Sequence, residues 1–174
     1  MTKLVEDIID LTRLDAGGAD YVFEPCNLLR IAENAVDSLQ SEAAGQSITL
    51  SLRGESAPMS GVPRLLHSIV YNLCDNAIKY NRPGGRVDVN VAPEGEKVVL
   101  RVSDTGVGIP KDSIDRIFER FYRVDKSRSK AVGGTGLGLS IVKHAALIEK
   151  ADVRVESEPG EGSAFTVTFP ANAR

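Results

Sequence analysis

The sequence predicts an α+β fold, a two-layer sandwich in which a mixed, mostly antiparallel sheet carries helices on one face. Segments with a helical repeat of apolar residues are interleaved with short segments that alternate apolar and polar residues. Pairs of alternating segments are joined by links rich in glycine and proline, which marks hairpins rather than a parallel sheet. With 174 residues, 42% of them hydrophobic, the chain can bury one core and is too short for two or three ordinary domains. No segment repeats another.

Leu4, Ile8 and Leu11 fall at i, i+4 and i+7, with Val5 and Ile9 beside them, so a first helix carries an apolar stripe until Asp15-Ala16-Gly17-Gly18 ends it. Too short to be stable alone, it needs a partner for that stripe and reads as a truncated or docking helix. A brief strand is expected at 21–25. Asn27 is placed to cap a helix bearing Leu28, Ile31, Ala35 and Leu39, which stops at Gly45. Ile48, Leu50 and Leu52 then alternate as a strand does. Beyond a polar loop at 54–61, Pro63 opens the most strongly periodic helix, with Leu66, Ile69, Val70, Leu73 and Ala77 on one face. It ends at Asn81-Arg82-Pro83-Gly84-Gly85. The alternating segments 87–91 and 98–102 form a hairpin across a link at 93–97 that holds Pro93 and Gly95. A short helix from Pro110 would place Ile114, Ile117, Phe118 and Phe121 on one face. A polar, basic stretch from Arg123 to Gly134 is expected to be mobile. A further helix covers about 135–150, and strands at 153–155 and 165–169 close the sheet around Pro159-Gly160-Glu161-Gly162.

Composition removes several function classes. The 21 Lys plus Arg against 24 Asp plus Glu give a net charge of −3, which argues against a broad basic footprint for nucleic acid or anionic lipid. No apolar run approaches the roughly 20 residues that cross a bilayer, and the acidic start is unlike a signal peptide, so the chain is expected to be soluble. Cys26 and Cys74 have no paired spacing, which suggests neither a disulfide scaffold nor a zinc site and points to a reducing cytoplasm. His67 and His144 are too few for a multi-histidine metal site.

Three stretches can carry chemistry. Asp104 follows Val98, Leu100 and Val102 in phase by period two, so its carboxylate is aimed to the core side and needs a donor from the protein or a ligand. Gly106 and Gly108 after it let backbone pass close to a flat ligand, and the amino group of an adenine would suit Asp104. By itself this pattern equally describes an aspartate-glycine turn with structural glycines. In Gly133-Gly134-Thr135-Gly136-Leu137-Gly138-Leu139-Ser140, glycines precede a helix whose apolar face begins at Leu137, and backbone amides at such a start favour an anion, phosphate above all. Neither a phosphate loop ending in Gly-Lys-Ser/Thr nor a dinucleotide-binding unit is present, and a capped flexible loop is the plain alternative. On the helix from Pro63, Asn72, Asn76 and Lys79 share a stripe, with Tyr80 one turn beyond Asn76. Amide oxygens suit Mg²⁺ and Lys79 could offset phosphate charge, although a solvated polar face would show the same spacing.

Taken in order, NLCDNAIKY, SDTGVGIP, IFERFYRVD and GGTGLGLSIVKH resemble the N, G1, F and G2 boxes of the ATP-binding catalytic domain of sensor histidine kinases. The resemblance runs over about 27–170. It implies the sandwich shared with gyrase-type, mismatch-repair and chaperone ATPases, with ATP and Mg²⁺ as ligands. It further implies Asn76 as the Mg²⁺ ligand, Asp104 as the reader of the adenine amino group, Lys79 and Arg123 facing the phosphates and Tyr80 facing the nucleotide. Asn72, Gly106, Gly108, Ile109, Gly134, Thr135, Gly136, Leu137, Gly138 and Leu139 complete the implied nucleotide site, and 123–134 becomes a lid in which Arg128 and Lys130 have no assigned role. Asn76, Lys79 and Arg123 would act on the transferred phosphoryl group, by positioning and charge rather than covalent work.

The same resemblance makes residues 1–18 the remnant of the second helix of a dimerisation hairpin with its linker, and 19–174 the catalytic domain. The acceptor histidine belongs to the first helix of that hairpin, and His67 and His144 do not replace it. The implied partners are the histidine-bearing hairpin and a response regulator, with no nucleic acid and no membrane contact by this chain. It would lie on the cytoplasmic side of a membrane-anchored parent. Two other readings are a regulatory module that binds nucleotide without catalysis and a gyrase- or chaperone-type ATPase. The latter uses a glutamate four residues before the metal asparagine, where this chain has Asn72.

Overall fold

In the computed structural model, which describes residues 2–16, 21–127 and 132–172, the chain folds as α1 (Lys3–Asp15), β1 (Glu24–Asn27), α2 (Leu28–Gly45), β2 (Thr49–Gly54), β3 (Pro58–Gly61), α3 (Pro63–Lys79), β4 (Arg86–Glu94), β5 (Lys97–Asp104), α4 (Gly138–Ile148), β6 (Asp152–Glu158) and β7 (Gly162–Pro170). The main sheet has the order β2-β4-β5-β7-β6, with β2 parallel to β4 and every other pair antiparallel. This is the expected α+β sandwich. Alternation fixes the inward face, since Val89, Val102 and Phe165 lie in register across three strands and all are buried. On that face α3 packs between α2 and α4, burying Leu66, Ile69 and Leu73. Asn27 caps α2 as its side chain accepts from the Leu29 amide at 3.1 Å.

Five local expectations change. The polar loop at 54–61 contains β3, which pairs with β1 and buries Met59, and the strand expected at 21–25 is shifted to Glu24–Asn27. The link at 93–97 shrinks to Gly95 and Glu96, because β4 runs on through Pro93 to Glu94. Pairing of β4 with β2 stops at Val91, so the missing amide of Pro93 costs no ladder bond there. No regular helix follows Pro110. Residues 111–121 form successive tight turns, with the Ser113, Arg116 and Glu119 amides each donating to the carbonyl three residues back at 2.9 Å. Tertiary ties override the helical spacing here. Tyr122 Oη donates to Ser113 Oγ at 3.0 Å, Ile117 alone of the four apolar residues is buried, and Phe121 is turned out with φ 61° and 61% exposure. The last helix begins at Gly138 rather than near 135, after a turn at Gly136 with φ 75°.

α1 packs on α4, but of the stripe that spacing selects only Leu11 is buried. Asp7, Leu11 and Leu14 are its buried residues, while Leu4, Val5, Ile8 and Ile9 are 37–44% exposed. The expected boundary between 18 and 19 falls outside the described residues. Among the described residues no helix is long and apolar enough to cross a membrane.

Candidate functional site

The three stretches singled out in the sequence meet around one cavity of about 320 Å³. α3 supplies Asn72, Asn76 and Lys79 to its wall, and Tyr80, which caps the helix, joins them. The end of β5 and the loop after it supply Asp104, Gly108 and Ile109, and the opposite wall holds Gly134, Thr135, Gly136, Gly138 and Leu139 with Arg123. Gly106 and Leu137 stand behind the wall. Leu137 is fully buried in the core, and a Cβ on Gly106 would lie 2.3 Å from the Tyr80 carbonyl oxygen, so glycine there lets the loop close on the end of α3. Arg128 and Lys130 lie outside the described residues.

Asp104 sits where period two aims it, half-buried at the edge of the core. Its Oδ1 accepts the Gly106 amide at 2.8 Å and the Ser163 amide adds a second bond. Burial pushes the carboxyl above its ordinary value, with these two amides opposing the rise. A carboxylate has about four lone-pair sites, so two amides leave capacity for a donor from the cavity.

On α3, Asn72 is buried and its Nδ2 donates to the Ser68 carbonyl oxygen at 2.8 Å. Its Oδ1 is buried without a partner, an orphaned acceptor beside Asn76 that fits a cation or a hydrogen-bond donor arriving in the cavity. Lys79 lies close to the floor but is engaged, its Nζ 2.9 Å from Asp75 Oδ2. Lys3 of α1 approaches the same oxygen at 3.4 Å and also lines the cavity. A Cβ on Gly134 would be 3.2 Å from Tyr80 Oη and 3.4 Å from Arg123 Nη2, so these three come together at the mouth. Thr135 Oγ1 donates to Asp7 Oδ2 at 2.7 Å.

Sequence reasoning passed over Asp75, Lys3, Asp7 and Ser163. Only the spacing of Asp75 and Lys79, four apart on a helix, was available to show one of these contacts in advance. Both histidines are tied into the fold. His67 stacks on Tyr71 with ring centres 6.2 Å apart, and His144 Nδ1 lies 2.8 Å from the Ser140 carbonyl oxygen.

Residues 61–173 match the family described as histidine kinase-, DNA gyrase B- and HSP90-like ATPase. The chain belongs to this family. Within it the relatives are sensor kinases. Sensor-like histidine kinase SenX3 of Mycolicibacterium smegmatis is 36% identical over 98% of this chain and 44% of its own length. Circadian input-output histidine kinase CikA of Synechococcus elongatus is 35% identical over 98% of this chain and 23% of its own length. The chain thus spans less than half of these curated relatives. Among solved structures, the mycobacterial sensor histidine kinase MprB superposes with a TM-score of 0.76 at 27% identity, covering 88% of this chain and all of that one. ShkA, solved full-length in complex with AMPPNP, gives 0.83 at 28% identity over 98% of this chain and 36% of its own. The chain is therefore an ATP-binding domain of the histidine kinase type, with the ATPase-family sandwich.

Proposed function

We propose that this ATPase-family domain is the catalytic part of a sensor histidine kinase that moves the γ-phosphoryl group of ATP to a histidine on a dimerisation hairpin, for onward transfer to a response regulator. What carries the reading is the convergence in one cavity of Asp104, Asn72, Asn76 and the glycine-rich loop. Residues 1–18 are then the end of the hairpin's second helix with its linker, 19–174 the catalytic domain, and the whole works on the cytoplasmic side.

Asp104 accepts a hydrogen bond from the adenine amino group, which guanine replaces with an acceptor. Asn76 would hold Mg²⁺ by its amide oxygen, with the orphaned Asn72 oxygen available as a second hard donor. Mg²⁺, when bound, spreads the charge of the triphosphate and orients its oxygens. Arg123 and Lys79 offset phosphate charge, Lys79 by exchanging part of its bond to Asp75 for one to the ligand. Amides at the start of α4 favour the same anion. Tyr80 closes over the nucleotide. In the transfer the bond between the γ-phosphorus and the bridging oxygen breaks, a bond from phosphorus to the imidazole nitrogen forms, and ADP leaves. The chain's own groups position and neutralise; the nucleophile comes from the hairpin. An amide at Asn72 cannot serve as a base for water, which sets the hydrolytic reading aside.

Calorimetric titration with ATP and GTP, with and without Mg²⁺, on the wild type and on Asn76→Ala tests the site. Binding that needs Mg²⁺, prefers adenine and is lost in the variant is the expected result. Tight binding with no transfer to a supplied histidine hairpin would leave a regulatory nucleotide-binding module in place of a kinase.

A further inference from the structure

α1 reaches the nucleotide cavity through one residue and touches its glycine-rich loop through another. Lys3 lines the cavity, with its ammonium 3.4 Å from Asp75 Oδ2 and 4.7 Å from the centre of the Tyr71 ring. One turn further along, Asp7 is 6% exposed and its Oδ2 takes the Thr135 hydroxyl. Thr135 stands between Gly134 and Gly136 in the loop proposed to receive phosphate, and its Oγ1 also accepts the Leu137 amide at 3.3 Å. A carboxylate thus holds the side chain at the centre of that loop. Burial is the main influence on Asp7 and raises its carboxyl, and the Asp75 carboxylate raises it further, whereas Thr135, Lys3 and Lys79 lower it. The contact costs desolvation, which the Thr135 hydrogen bond and the two ammonium groups offset in part.

The rest of the helix is clipped down at some distance from the cavity. Asp10 pairs with Arg64 at 3.4 Å. Asp15 pairs with Arg120 and lies 3.8 Å from His144 Nε2. Leu11 and Leu14 are buried. None of these groups lines the cavity.

We propose that α1 in its docked position antagonises nucleotide binding: Asp7 ties up Thr135 and sets a negative charge behind the loop that receives phosphate, so a triphosphate binds best once α1 has lifted, and whatever moves α1 sets the affinity for ATP. The coupling is reciprocal, because a ligand that binds the undocked form better shifts the helix by the same factor that the helix shifts its affinity. It rests on the nucleotide-binding reading and adds its regulation.

Asp7→Asn removes the charge and keeps an acceptor for Thr135. Asp15→Ala cuts the Arg120 tie at the far end of the helix. Titration of the whole chain with Mg-ATP and with adenosine is expected to show ATP bound roughly three- to tenfold more tightly by both variants than by the wild type, with adenosine unchanged. Hydrogen exchange of the wild type should show residues 3–15 exchanging faster when ATP is added. Equal ATP affinity in the wild type and both variants would overturn the proposal. A gain in Asp7→Asn alone, with α1 protected equally with and without ATP, would reduce the effect to local charge and overturn the role of docking. Failure of all three proteins to bind ATP would instead remove the nucleotide-binding reading on which the proposal stands.

Discussion

Asp104 and Glu149 are both acids raised by burial, and they differ in what surrounds them. Asp104 opens onto the cavity, and Asp104→Asn would keep an oxygen for the Gly106 amide while turning an NH₂ group toward the ligand. ATP affinity should fall roughly ten- to a hundredfold and the preference over GTP should shrink, by calorimetry, because a hydrogen bond to a charged acceptor is lost and a donor faces a donor. Glu149 is 0% exposed, and its Oε1 accepts the Val62 amide at 2.8 Å while Oε2 has no partner. Desolvation raises it from 4.5 to about 7, against the opposing Val62 bond. The folded chain therefore keeps a proton that the unfolded chain releases, so stability is greatest at or below about pH 4.5 as far as this group is concerned and declines as pH rises to about 7. In Glu149→Gln that decline, on the order of 2 kcal/mol, should vanish. Thermal unfolding at pH 5 and pH 8 checks it, and a difference as large in the variant as in the wild type would refute the assignment.

At the scale of elements, α1 separates what spacing joins. Ile8 and Leu11 belong to one stripe in the sequence, yet Ile8 is 44% exposed and Leu11 5%. Leu11→Ala should cost about 2 kcal/mol and speed hydrogen exchange along α1, whereas Ile8→Ala should stay within about 0.5 kcal/mol. The loop after β5 offers a second case. Gly108 has φ 71°, and a Cβ there would lie 2.2 Å from the Glu158 carbonyl oxygen. Gly108→Ala should lower stability by roughly 1–3 kcal/mol and weaken ATP, measured by denaturation and titration, since strain and collision fall on the wall that holds Ile109.

For the molecule as a whole, both histidines serve packing and surface contacts, so incubation of this chain with Mg-ATP should yield no phosphohistidine. Adding a hairpin that bears an acceptor histidine should yield it on the hairpin. Acid-labile phosphate on His67 or His144 would contradict this division of roles. Much of the site was legible beforehand because its parts are local. The period of 3.6 put Asn72, Asn76 and Lys79 on one stripe of α3, and the period of two aimed Asp104. The order of the four boxes did the rest.

The sequence by itself determined the helices α2 and α3, the hairpin of β4 and β5, the phase of Asp104 and the glycine start of α4, since each depends on residues within a turn or a pleat of one another. Tertiary structure alone decided which face of α1 is buried, why 111–121 turns instead of coiling, and that Asn72 ends with an orphaned oxygen. It also supplied partners that no local pattern contains. Val62, a poor capping residue, gives its amide to Glu149 from 87 positions away, and Thr135 meets Asp7 across 128. Periodicity acts along the chain over a few ångströms, whereas a buried polar group takes whatever donor or acceptor the packing brings to it.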